Sequence, residues 1–244
     1  MTASRAPLTR DSLRVKIVVQ KVRLAGAEYR VIRPARPLKN VALHKDHGYQ
    51  GHYNMYVDRA DGRRMGTLWL LAARSPRSLV HVPMRAGPAV PGIGREAGQP
   101  LDLVLAPRSV QLRPSRWKRI RQYLNAAHAP RELRTACVPE RDLPASEAEY
   151  GIPDDPKEAS RFLLRRDIHA ETLLLTGGSA AFREGAKEIF AVTKHGPPAA
   201  ATGLYLPGGC NYHVCRSIYD WDSGPRDLSG WEQLHVEFCP SWAR

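Results

Sequence analysis

Cysteine is scarce in this chain, four residues in 244. That is too few for a disulfide framework, and it fits reduced thiols in a cytoplasmic protein. Long apolar runs are missing, so no membrane-spanning segment is expected. Met1-Thr2-Ala3-Ser4-Arg5 leads into no apolar stretch, and no secretory leader is expected either. Internal repeats and low-complexity tracts are absent. So are a G-x-S-x-G elbow, a catalytic Cys–His signature and an EF-hand loop, which removes the motif-borne hydrolase and calcium-sensor classes. Thr176-Gly177-Gly178-Ser179 has the glycines but not the lysine or spacing of a phosphate-binding P-loop, so a turn between helices is expected there. With 43% hydrophobic and 25% charged residues the chain is a folding sequence, long enough for one large domain or two small ones.

The first half also lacks acid. Residues 1–134 hold 26 Lys or Arg against 8 Asp or Glu, a balance of +18, whereas residues 135–244 hold 11 against 16, a balance of −5. An arginine-rich half of this kind suits a polyanion, a nucleic acid or nucleotide above all, or else the acidic part of its own chain or of a protein partner.

Alternating, β-branched runs predict strands at Leu13–Val19 and within 20–33, with Ala25-Gly26 as the turn. Tyr53–Val57 and Met65–Leu71 flank Asp61-Gly62 and read as a β-hairpin; Leu79–Pro83 and Leu101–Leu105 read as further strands. A helix over 114–128 carries Trp117, Ile120, Leu124 and Ala127 at core spacing. Arg113, Arg116, Lys118, Arg119 and Arg121 on and before it are the candidate nucleic-acid contacts, with solvated basic residues as the plainer alternative. Composition and charge change over the proline-punctuated stretch 135–158. Beyond it, helices are expected over Lys157–Arg166, from His169 to Leu175 and from a Ser179 N-cap to Glu188. A strand is expected at Ile189–Thr193, a turn at Gly196-Pro197-Pro198, a short strand at Gly203–Leu206 and a last strand at Trp231–Phe238. The expected fold is mixed, α+β or α/β: a mostly antiparallel N-terminal β part with one basic helix, then a layered α/β part. The domain reading is 1–134, a linker over 135–158, and 159–244.

The residues richest in chemistry lie in that last part. His169-Ala170-Glu171 is followed by Pro207-Gly208-Gly209-Cys210 and, past His213, by Cys215. A His and a Glu two apart, ahead of two cysteines behind a Pro-Gly turn, resemble the zinc-dependent cytidine and nucleotide deaminases, in which H-x-E and P-C-x-x-C hold one zinc and a proton carrier. The resemblance covers the last third of the chain. It implies a deaminase-like domain over 159–244, zinc as cofactor, His169 and Cys210 as ligands, and Glu171 as the catalytic acid–base of a hydrolase acting on a nucleobase or nucleotide. Cys210 and Cys215 are separated by four residues where the family has two. On a helix that spacing sets them about 140° apart, so the third ligand is either Cys215, re-aimed by a loop, or His213. The triplet also arises by accident, as at His235-Val236-Glu237. His44, His47 and His52 form a separate cluster without a recognised ligand spacing, read as a polar loop or as a second metal or acid–base site. The other reading of the whole chain is a non-catalytic, basic nucleic-acid-binding or protein-interaction protein.

Overall fold

A computed structural model describes residues 13–47, 52–93, 98–126, 129–139, 142, 160–202, 213–219 and 232–243. Its strands are β1 (Arg14–Leu24), β2 (Ala27–Pro34), β3 (Val41–Lys45), β4 (His52–Val57), β5 (Ser78–Val82), β6 (Gln99–Pro100), β7 (Asp102–Pro107), β8 (Glu132–Cys137), β9 (Leu164–Ile168), β10 (Thr172–Gly177), β11 (His213–Tyr219) and β12 (Gln233–Phe238). The helices are α1 (Arg59–Arg74), α2 (Trp117–Asn125) and α3 (Ser179–Ala200). The strands join in one mixed sheet in the order β6-β3-β4-β12-β11-β9-β10-β7-β5-β2-β1-β8.

The expected mixed fold is what this order describes, and the N-terminal strands pair mostly antiparallel, β1 with β2 and β8, β3 with β4, β5 with β7. The division into 1–134 and 159–244 is not a division of the sheet. β8 runs across residue 134, and β9 to β12 sit as a block between β4 and β7, joined to them by parallel pairing of β12 with β4 and β10 with β7. The acidic part of the chain thus lies inside the sheet whose flanks the basic part builds. Of the linker stretch 135–158, residues 135–137 belong to β8 and residues 143–158 lie outside the described residues.

Strand alternation builds three layers. Leu103 and Leu105 of β7 and Leu173 and Leu175 of β10 face a core shared with α1 and α3. Val104, Ala106 and Leu174 face the opposite core, where Trp117, Ile120 and Leu124 of α2 close over them. The apolar stripe read on the 114–128 helix is therefore core. The helix proper begins at Trp117 after a 3-10 turn over Pro114–Arg116, and residues 127–128 lie outside the described residues.

Helix α1 replaces the expected hairpin. Asp58 caps it, accepting from the Asp61 N–H at 2.6 Å, and Asp61 Oδ2 takes the Lys39 and Asn40 N–H groups at 2.8 and 2.9 Å. Both acids therefore cap and anchor the helix start, so Asp61-Gly62 is its first turn rather than a hairpin loop. Met65–Leu71 is buried on every side, which erases the apolar–polar contrast by which a helix and a strand are told apart. α3 likewise runs through the stretch expected as strand and turn, with Pro197 and Pro198 in its closing turns. Ser179 is its first residue, not its cap. The hydroxyl donates instead to the Ala73 carbonyl at the end of α1, 2.7 Å away. Residues 203–206 lie outside the described residues.

α1 and α3 meet closely because small residues stand where the partner is large. A Cβ added at Gly185 would fall 2.2 and 2.4 Å from Trp69 ring carbons, and one at Gly66 2.9 Å from the Phe190 ring. Among the described residues no helix is long and apolar enough to cross a membrane. Gly185→Ala gains about 1 kcal/mol of helix propensity. It must also displace the fully buried Trp69, an overpacking cost of about 1–3 kcal/mol or more. A lowered urea midpoint is therefore expected, recovered in part when Trp69 is also changed to Leu; an unchanged midpoint would show that the helices do not meet there.

Candidate metal centre

β11 and β12 pair antiparallel, with His213 opposite Glu237, Cys215 opposite His235, and Val214 opposite Val236. Val214, Leu234, Val236 and Phe238 point into the core beneath α3. Arg216 does so as well, paired through its guanidinium with Glu188 of α3 at 3.0 Å and donating to the Phe162 carbonyl at 2.7 Å. Burial pushes the Glu188 carboxyl up, and Arg216 opposes it. With the even-numbered residues turned inward, His213, Cys215, His235 and Glu237 must share the outer face.

There the ligand-type atoms of His213, Cys215 and His235 lie within 4.8 Å of one another. Cys215 Sγ is 3.3 Å from His235 Nδ1, and the two imidazoles stack with centroids 4.3 Å apart. Zinc with bonds of about 2.0 Å to nitrogen and 2.3 Å to sulfur holds its ligands roughly 3.3–3.6 Å apart. The group can therefore hold a metal ion, and its one thiolate and two imidazoles are the donors zinc takes. The other ring nitrogen of His235 faces Glu237 Oε2 at 3.8 Å. A carboxylate behind the non-ligating nitrogen is the usual means of orienting a metal-bound histidine. Burial opposes protonation of His235, but Cys215 and Glu237 outweigh it and raise its pKa to about 9. Only the neutral imidazole ligates, so a metal binding there would displace that proton.

The histidine cluster seen before β4 belongs to the same sheet face in part. His44 pairs across from Asn54, and Asn54 from His235; His52 lies opposite Gln233. His44 is buried, which lowers its pKa, and its ring lies 6.3 Å from Tyr56. His47 is exposed.

The other residues singled out in the sequence lie elsewhere. His169-Ala170-Glu171 does not start a helix: Ala170 and Glu171 are the two-residue loop joining β9 and β10, and His169 closes it. Ala170 and Glu171 have φ of 51° and 55°, as such a loop requires, and His169 N–H bonds Thr172 O at 3.1 Å. Two non-glycine residues in the left-handed region are strained. Arg121 restrains the first by donating to the Ala170 carbonyl at 2.6 Å, and Arg85 forms an ion pair with the Glu171 carboxylate. β9 runs parallel to β11 with Leu164 beside Ile218, which puts His169 eight residues further along the strands than Cys215, about 26 Å. His169 and Glu171 are thus not brought to Cys215. Cys210 lies outside the described residues. His235 is the member of the group that the sequence did not single out as a ligand. Its signal was the strand period: His213-x-Cys215 and His235-x-Glu237 each put two polar side chains on one face.

Of the candidate nucleic-acid contacts, Arg113, Lys118 and Arg119 are exposed. Arg116 donates to the Tyr29 hydroxyl at 2.7 Å, and Arg121 serves the 169–171 loop and stands 3.6 Å from Asp102. The chain matches no protein-family model, no curated protein and no solved structure.

Asp102, at the head of β7, ties the loop together. Its Oδ1 accepts from the Met84 and Arg85 N–H groups, each at 2.9 Å. Burial opposes its ionisation, but the facing His81 and those two N–H groups win and bring its pKa down from 3.8 to about 2. A carboxyl depressed on folding stabilises the native state above its unfolded pKa and loses that contribution as pH falls toward the folded one. The gap in denaturation midpoint between the wild type and Asp102→Asn is therefore expected to stay constant above about pH 5 and to shrink from about pH 4 toward pH 2; a gap that does not change with pH would contradict this role.

Proposed function

We propose that the protein is a zinc-dependent hydrolase whose metal is held by His213, Cys215 and His235, acting on a nucleobase or nucleotide. The observation that carries this reading is the placement of all three ligands on one face of two adjacent strands. Zinc held by three protein ligands would keep one position for water or substrate, as catalytic rather than structural zinc sites do. Zinc bound there would supply a water activated at neutral pH. Glu237 would hold the His235 ring in place, the role of a positioning residue, while Asn54 extends the polar face on which a substrate would lie.

The substrate class rests on two supports, the deaminase resemblance of the last third and the excess of arginine in residues 1–134. Exposed Arg113, Lys118 and Arg119, with Tyr123 41% exposed beside them, offer a face for phosphates and a stacking ring. The ligand set of the resemblance is replaced in this proposal: His235 stands in for His169, and no role is left for Glu171 in proton transfer.

The purified wild type is expected to carry about one zinc per chain by plasma mass spectrometry. His235→Ala and Cys215→Ser should lose it, and His169→Ala and Glu171→Gln should keep it. Glu237→Gln should weaken zinc affinity by about 10–100-fold. Cys210→Ser decides between an open and a closed site: retained zinc, with zinc-dependent ammonia release from cytosine or adenine nucleotides, supports the hydrolase. Zinc lost with Cys210, or no zinc in the wild type, would overturn it.

A further inference from the structure

Far from the metal centre, the ends of β2 and β5 and the head of β7 enclose a cavity of about 270 Å³ lined by Arg33, His81, Arg85, Asp102, Arg121 and Asn125. A second cavity of about 220 Å³ adjoins it, shares Arg33, Pro37 and Pro83, and adds Gln20 and Arg131. β5 is the fourth strand from β11 in the sheet, roughly 19 Å across it.

Two buried side chains here leave polar atoms without a hydrogen bond among the described residues. His81 is 1% exposed and neither ring nitrogen has a hydrogen-bond partner. Its Nε2 faces Asp102 Oδ2 at 4.0 Å, a charge contact too long for a hydrogen bond, and the Trp117 ring meets it edge-on with centroids 4.8 Å apart. Gln20, also 1% exposed, donates through its amide nitrogen to the Ala129 carbonyl at 3.2 Å, which leaves its Oε1 without a donor. Buried polar atoms in native proteins nearly always find partners, and a pair of orphans facing a cavity points to a ligand that supplies them.

The charges say what kind. Asp102 is satisfied by the Met84 and Arg85 N–H groups and by Arg121, and the Arg85 side chain is held by Glu171. Arg33, half-buried, makes no hydrogen bond or ion pair with a described residue, and it stands close enough to Arg131 for the two cations to repel. Arg33 also feels the attraction of Asp102, a carboxylate already shared with Arg121 and two N–H groups. Two guanidinium groups at the junction of two cavities match a dianion, and the planar fork of arginine suits tetrahedral phosphate oxygens.

We propose that these joined cavities bind the phosphate group of a small phosphate monoester, clasped between Arg33 and Arg131, with His81 and Gln20 hydrogen-bonding the ligand. His81 meets the oxygens on the β5 side, and Gln20 Oε1 accepts from a hydroxyl. The cavities have room for the phosphate and a few more heavy atoms, not for a polymer. The site is independent of the metal centre, so either can fail without the other.

The test is calorimetric titration of the full chain with inorganic phosphate, at ionic strength held constant with chloride, and with acetate as the monoanionic comparison. Saturable one-to-one phosphate binding is expected, weakened about tenfold or more in Arg33→Gln and also in Arg131→Gln. It should be unchanged in His235→Ala, and acetate should bind much more weakly. Nitrogen-15 spectra of the histidine rings should show His81 shifting as phosphate is added. Arg131 is exposed, so Arg131→Gln reads the site even if Arg33→Gln does not fold. Absence of saturable binding, affinity unaltered in both arginine variants, or acetate binding as tightly as phosphate would overturn the proposal.

Discussion

Everything at the metal centre depends on which way β11 and β12 face. Side chains on a strand alternate, so burying Val214, Arg216, Leu234 and Val236 beneath α3 fixes the direction of His213, Cys215 and His235 without any further instruction. A slip of one residue in either strand would send the ligands into the apolar core and Val236 into water. The Arg216–Glu188 pair guards against that slip more strongly than apolar contact alone, because a buried arginine separated from its carboxylate is far costlier than a misplaced valine.

The core under those strands is in turn set by how close α1 and α3 come. Gly66 and Gly185 let the Phe190 and Trp69 rings lie against the partner backbone, and Gly196 does the same for Phe238 at the end of β12. Phe238 thus links the helix pair to the strand that carries His235. On the other side of the molecule Trp117 has a similar place. Its indole N–H bonds Thr172 Oγ1 at 2.9 Å, and its ring braces His81.

The parts of the fold that could be read from the sequence were those with contrast. Leu101–Leu105, Leu79–Pro83 and Trp231–Phe238 carry β-branched or alternating patterns between clear turn residues, and strands run over 102–107, 78–82 and 233–238, residue 231 lying outside the described residues. Trp117, Ile120 and Leu124 stand at helical spacing against charged neighbours, and α2 buries them. Contrast fails where both sides are buried. Met65–Leu71 and Ile189–Thr193 are apolar runs that suit strand or helix alike, and their identity is settled by Asp58 capping α1 and by the mutual packing of α1 and α3, neither visible in a local window. The 169–171 loop fails differently. Ala and Glu are unusual choices for two successive left-handed residues, and Arg121, Arg85 and the Asp102 N–H, all distant in sequence, hold them there. The group that could hold a metal was half legible. Cys215 and His213 drew notice as neighbours, whereas His235 joins them only through strand pairing between segments twenty residues apart.

The claim on which this account stands is that one metal sits between β11 and β12 with two imidazoles and one thiolate around it. X-ray absorption at the zinc edge of the zinc-loaded protein tests that directly. The account predicts one sulfur at about 2.3 Å and three lighter neighbours at about 2.0 Å, two of them imidazoles and the third a water or hydroxide oxygen. Two or more sulfurs, no imidazole scattering, or an all-oxygen shell would contradict it.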